Sequence, residues 1–228
     1  MAERTTSGPG SLDADAGIVV IGLGRFGSAV AAALTDMGHE VLGVDLSDEL
    51  VQQHVENLTH VVGADTTNSK ALLQLGIADL SHAVVGIGDV EASVLTTSEL
   101  VAIGVPDIWA KATTRAHGRI LELVGAHHVV YPEGDMGERV AHLVTGRMID
   151  YIELDDDFAL VETTAPRATV GKTLGEAGIR ADYGVTVVCV KPAGGSFTYA
   201  TADTVIGAGD LLLVAGETAA AERFAGAD

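Results

Sequence analysis

Cationic residues are scarce in this sequence: 13 lysines and arginines stand against 32 acidic residues, a formal charge of −19. A field of that sign repels polyanions, so the surface as a whole is unsuited to nucleic acid or anionic lipid headgroups, though a local basic pocket is still allowed. Cysteine is nearly absent. The lone thiol, Cys189, has no second thiol to pair with in the chain, which suits a reducing cytoplasm. Its setting, Val187-Val188-Cys189-Val190, reads as a small buried core residue. No apolar run approaches the roughly 18 residues that a membrane helix needs, so action at a membrane would have to pass through a partner. Residues 1–16 are polar, with no charged-then-apolar signal, and are expected to form a disordered leader.

What is abundant is aliphatic. The hydrophobic fraction is 47% against 20% charged and 4% aromatic, which excludes a disordered chain and suits parallel strands buried on both faces by helices. Apolar runs alternate with helical patterns: Ile18–Ile21 then Arg25–Met37, Glu40–Val44 then Ser47–His54, His60–Val62 then Ser69–Leu75. The alternation continues with His82–Ile87 then Glu91–Ile103, Ile108–Ala110 then Thr114–Val124, and His128–Val130. This β-α succession predicts a doubly wound parallel sheet of Rossmann type, with its loops of interest on the carboxyl edge. A longer helix is expected over Gly134–Ile149, with Val140, Leu143, Val144 and Met148 as an apolar stripe, either core or a connecting and dimerising surface. Beyond it, Ile152–Leu154, Ala159–Glu162, Val185–Val190 and Leu211–Val214 read as strands, and Val170–Glu176 and Ala219–Phe224 as short helices. The expected plan is a nucleotide-binding domain with its connecting helix over 17–150 and a small α+β domain over 151–228.

The central motif is Gly22-Leu23-Gly24-Arg25-Phe26-Gly27, placed between the first strand and the first helix. Gly22 permits a tight turn, Gly24 lets backbone N–H groups approach a pyrophosphate, and Gly27 lets helix and strand pack closely. The phosphates then face a helix N-terminus, whose unpaired N–H groups favour anions. Asp45 ends the second strand at the distance expected of a ribose-binding carboxylate. It is followed by Leu46 and not by an arginine, which disfavours a 2′-phosphate and hence NADP. Adenine nucleotides and NAD both remain open. Arg25 is placed to pair with a terminal phosphate, unless it is an ordinary surface arginine. Three further segments fall on the same edge: Gly63-Ala64-Asp65-Thr66, where Asp65 suits the adenine amine; Gly86-Ile87-Gly88-Asp89, whose glycines allow close approach; and Lys111, a phosphate contact. The bland alternative for each loop is a solvated turn.

These segments, with Gly38-His39-Glu40-Val41-Leu42-Gly43-Val44-Asp45, Leu95-Thr96-Thr97, Ile108-Trp109-Ala110-Lys111-Ala112 and Tyr131-Pro132-Glu133-Gly134-Asp135-Met136-Gly137, carry a resemblance over 17–224. The chain resembles the cytosolic regulator-of-potassium-conductance (RCK) subunits of the Ktr and Trk potassium uptake systems. The resemblance implies a homodimer that assembles into an octameric ring beneath a membrane potassium channel or transporter subunit, at the inner face of the cell membrane. It implies ATP or ADP as ligand in the Ktr-like branch and NAD(H) in the Trk-like branch. It assigns Arg25 to the γ-phosphate, Asp45 to the ribose, and Glu133 to a cation, for which Mg2+ or Ca2+ fits a hard oxygen donor. In some relatives the C-terminal domain binds cyclic di-AMP. Leu174, Ile179, Arg180 and Ala181 match those positions, while Ala200 stands where such relatives often carry proline.

Two other readings share the Gly-rich turn. A regulator of a different transporter, such as a cation/proton antiporter, would look the same. An NAD-dependent oxidoreductase needs a positioned acid or base. The chain has no Tyr-x-x-x-Lys pair, and His117, the best lone candidate, is expected to be a helix-surface residue. The expectation is therefore a regulator and not an enzyme.

Overall fold

The computed structural model describes residues 17–144, 148–155 and 157–227, so the expected leader lies outside the described residues. By packing, the chain forms two units that divide after Glu133.

The first unit holds strands β1 (Ile18–Ile21), β2 (Val41–Asp45), β3 (His60–Gly63), β4 (His82–Val85), β5 (Asp107–Lys111) and β6 (His128–Val130). They form one sheet in the order β3-β2-β1-β4-β5-β6, with every pairing parallel. The order reverses direction at β1, and such a switch point opens a crevice at the carboxyl ends of β1 and β4. Five helices connect the strands: α1 (Arg25–Asp36), α2 (Asp48–His54), α3 (Ser69–Gln74), α4 (Val90–Ile103) and α5 (Arg115–Val124). Val19, Ile21, Val85, Ile108 and Ala110 pack with Leu72, Leu100 and Leu121 of α3, α4 and α5. Val20 and Val41 pack with Ala31 of α1 and Leu58. Both faces are therefore covered around β1, which explains why its four residues are all apolar and all buried.

The helix at the start of the second unit, α6, runs over Pro132–Val144, and residues 145–147 of the longer expected helix lie outside the described residues. Its stripe is split. Leu143 packs on the second unit's core and Met148 is buried beyond it, while Val140 and Val144 are exposed. Arg139 donates to Asp150 at 2.6 Å, and the His142 ring stacks on Tyr151 with 4.1 Å between centroids. These contacts tie α6 to the second unit, in line with the division by packing after Glu133.

The second unit is built on an antiparallel sheet of five strands in the order β10-β9-β11-β8-β7. The strands are β7 (Asp150–Asp155), β8 (Phe158–Thr164), β9 (Thr186–Lys191), β10 (Thr198–Tyr199) and β11 (Leu211–Glu217). Alternate residues of β8 and β11 are buried, as a sheet with one covered face requires. The helix expected over Val170–Glu176 is not formed as one piece. Gly171 sits at φ +82°, a left-handed conformation that ends a helix, and only Leu174–Ala177 is helical, as α7. The covered face of the sheet packs on Ile179 of α8 (Ile179–Tyr183) and Phe224 of α9 (Thr218–Ala225). Cys189 is half-buried and not fully enclosed, because its strand directs it away from the side taken by the core residue Val190.

Candidate functional site

The Gly-rich turn leaves β1 at the switch point and opens α1. Gly22 takes φ +87°, and a Cβ there would meet the backbone of Gly86 and Ile87 at 3.0–3.1 Å. A Cβ on Gly27 would overlap the carbonyl oxygen of Gly22. These two glycines are required by packing alone. Gly24 is different: its backbone (φ −66°, ψ −170°) is open to any residue, and a Cβ there would meet nothing within 4 Å. Nothing in the protein demands glycine at 24, which is the position where a ligand would approach the backbone.

The α1 N-terminus is itself informative. Ser47, Asn68, Asp89 and Thr114 cap α2, α3, α4 and α5 with side-chain oxygens, whereas Gly24 caps α1 with no side chain and no acid stands in its first turn. The first-turn N–H groups of α1 are therefore left to an outside acceptor, at the positive end of a 12-residue helix.

A cleft of about 340 Å³ lies against this turn, lined by Gly22, Gly24, Asp45, Leu46, Asp65, Thr66, Gly86, Ile87 and Gly88 among others. Asp45 Oδ2 accepts from the Leu23 N–H at 2.6 Å and Oδ1 from the Ser47 N–H at 2.8 Å. The carboxylate is thus fixed at the cleft wall, with lone pairs left over for hydroxyl donors. Leu46 is exposed, while the Leu23 side chain is buried in the core, so Leu23 offers only its backbone. Asp65 accepts from the hydroxyl and N–H of Thr67, which hold its carboxyl below the usual range. The Thr66 hydroxyl pairs with Thr96 at 2.9 Å inside the protein.

The expected phosphate-side residues form a second group. Lys111 Nζ donates to Glu133 Oε1 at 2.6 Å and lies 5.9 Å from the centre of the Phe26 ring. The Glu133 carboxyl is held low, chiefly by that Lys111 hydrogen bond and against some desolvation, with smaller help from the charges of Lys111 and Arg25. Arg25 is exposed on the first turn of α1. None of these four lines the 340 Å³ cleft. Among the described residues no three His, Cys, Asp or Glu side chains are arranged to hold a metal ion, so Glu133 stands as a single carboxylate engaged by lysine.

Leu50, Thr67 and Ala92 also line the cleft, and no sequence motif points to them. Leu50 and Ala92 are each the third residue of a helix that follows a strand, a position that turns back over the sheet edge. Of the cyclic di-AMP positions, Ile179 is buried in the second core and Leu174 packs on it, whereas Arg180 and Ala181 are exposed. His117 is not a surface residue; it is 2% exposed, inside the first turn of α5.

Comparison with known proteins matches residues 18–132 to the TrkA-N domain and residues 158–226 to the TrkA-C domain. The chain is 38% identical over 207 residues to Ktr system potassium uptake protein C of Bacillus subtilis (strain 168), covering 90% of this chain and 94% of that one. It is 33% identical over 204 residues to Ktr system potassium uptake protein A of Vibrio alginolyticus, covering 89% and 93%. Its fold is similar to the crystal structure of the GsuK RCK domain (TM-score 0.64, 23% identity, 92% of this chain) and to the GsuK channel bound to NAD (TM-score 0.63, 22% identity, 92%). This chain spans 48% and 39% of those two solved chains. With matches of this extent to both domains, the chain belongs to the family of TrkA-N/TrkA-C proteins that includes the Ktr system potassium uptake proteins.

Proposed function

We propose that this chain is a regulatory subunit of a potassium uptake system, and that it senses an adenine nucleotide in the cleft at the carboxyl edge of the first sheet. The observation that carries the reading is the pairing of an α1 N-terminus without a side-chain cap with Asp45 fixed at the cleft wall. One suits phosphate and the other suits a ribose diol. The family supplies the transport context: the relatives are potassium uptake proteins, and no helix among the described residues is long and apolar enough to cross a membrane. Transport would then require a membrane subunit to which the nucleotide signal is passed.

In this reading ATP and ADP compete for the site, with NAD(H) as the alternative occupant, and the complex responds to Mg2+ or Ca2+ at Glu133 once phosphates and a second protomer supply more oxygen ligands. Nucleotides alter transport only if each binds one shape of the assembly, a dimer or a larger ring, more tightly than another. Cyclic di-AMP would meet Arg180 and Ala181 on the second unit. The chain acts as a regulator and not as a catalyst. Calorimetric titration with ATP, ADP, NAD, NADH and cyclic di-AMP tests the reading; absence of heat with every adenine nucleotide sinks it.

Arg25→Ala separates the phosphate roles. Loss of a charge-assisted pair to a terminal phosphate is expected to weaken ATP by about tenfold while leaving ADP within about twofold. An equal loss for both nucleotides would remove Arg25 from the terminal phosphate.

A further inference from the structure

The β5–α5 turn follows directly on Lys111, the last residue of β5, and is bonded to a histidine that plays no part in the site so far described. His117 lies in the first turn of α5, 2% exposed. Its Nδ1 accepts from the Thr113 N–H at 3.2 Å and lies 3.3 Å from the Thr113 hydroxyl. Its backbone N–H donates to the Thr114 cap at 3.1 Å. Nε2 is buried and meets no acceptor among the described residues. An Nδ1 that accepts from an amide is unprotonated, so the ring is neutral with its proton on Nε2.

We propose that His117 is a proton-sensitive positioning residue that holds the turn behind Lys111 and thereby couples nucleotide affinity to pH. The inference rests on the nucleotide reading above, and it concerns how Lys111 is presented, two residues ahead of Thr113.

A second proton on the ring would sit on Nδ1, directly opposite the Thr113 N–H. The amide bond to the ring is then lost, and two hydrogens face each other where one was accepted. The surroundings do not compensate the charge. On α4 the buried residues are Ser93, Thr96, Thr97 and Leu100, none ionisable. Beyond β6, the Tyr131 ring lies against Gly118, and the Arg115 guanidinium covers its face at 4.6 Å; neither residue is a carboxylate. The positive end of the α5 dipole opposes an imidazolium as well. Burial holds the His117 pKa below its ordinary value. The turn is therefore fully held above the ordinary imidazole range, near pH 6.5, and is progressively released as pH falls below it.

The test uses the full chain and two readouts. Hydrogen exchange at the Thr113 amide, corrected for intrinsic rates, is followed from about pH 8 down to about pH 4.5, below the ordinary imidazole span because burial lowers the His117 pKa. ATP affinity is measured at both ends in the unmutated protein and in His117→Asn, whose carbonyl oxygen can replace Nδ1 as acceptor without titrating. Thr113 protection is expected to fall severalfold on acidification, and ATP affinity to fall at least about threefold more in the unmutated protein than in His117→Asn. Taking the difference cancels the titration of the nucleotide's own phosphates. Unchanged Thr113 protection overturns the proposal, whether or not the variant folds. Equal pH dependence of affinity in the two proteins overturns the coupling. If ATP binds neither protein, ATP is not the occupant and the coupling to its affinity is overturned, while the exchange data still decide the role of His117.

Discussion

Asp45→Ala is expected to lower adenine nucleotide affinity by at least about a hundredfold, since hydrogen bonds to a charged group contribute roughly 1.5–3 kcal/mol each and two ribose hydroxyls would lose theirs. The effect comes by two routes. Asp45 supplies the acceptor at the cleft wall, and it also fixes the turn by taking the Leu23 and Ser47 N–H groups at 2.6 and 2.8 Å. Removing the carboxylate leaves both donors to find new partners and loosens the start of α2 along with the Gly-rich turn. A fall in stability of about 1–3 kcal/mol is expected in addition. Calorimetry and thermal melting of the same sample separate the routes. Unchanged nucleotide affinity in a folded Asp45→Ala protein would reject the ribose assignment.

The second large effect is a contrast between two glycines three residues apart. In Gly27→Ala the new methyl group overlaps the Gly22 carbonyl and comes within 3.5 Å of Val20 Cγ1, so α1 must lift from β1 or the turn must shift. Overpacking of this kind costs about 1–3 kcal/mol or more, and it moves the very N–H groups proposed to face the phosphates. Melting temperature and nucleotide affinity should therefore fall together. Gly24→Ala meets no protein atom within 4 Å and needs no unusual backbone angle. Its melting temperature should stay within about 2 °C, because no buried contact changes, while nucleotide affinity drops by about tenfold if phosphates press on that backbone. Gly24→Ala binding nucleotide as well as the unmutated protein would mean that no ligand comes close at that turn.

The first unit is readable in the chain because its strands are buried on both faces and its helices begin on recognisable caps. Ser47 and Thr114 announce α2 and α5, and Ile18–Ile21 is uniformly apolar because no side of it meets water. The second unit is less readable. Its segment after Pro166 mixes Gly171, Thr173 and Gly178 among helix formers, and the positive φ at both glycines, invisible in composition, divides it into short pieces. β10 is two residues long and exposed, so it exists through pairing with Val190 and Cys189 and not through any pattern of its own. His117 misleads for a related reason. A histidine near a helix start looks like a solvated residue until the fold buries it.

The lack of cationic residues also takes on a sharper meaning. With so few positive charges in the chain, the sequence alone could single out Arg25 and Lys111 as candidates for phosphate, and the spacing of Gly22, Gly24, Gly27 and Asp45 could define a nucleotide turn, because these depend on local backbone chemistry and on order along the chain. Tertiary structure decided what those groups are doing. Lys111 is held by Glu133, Asp45 spends one oxygen on Leu23, Thr66 turns inward to Thr96, and Gly24 alone among the three glycines is free of the protein's own packing. Such pairings join residues 22 to 30 positions apart, and a chain read in one dimension carries no distance between them until the sheet brings its strand ends to a common edge.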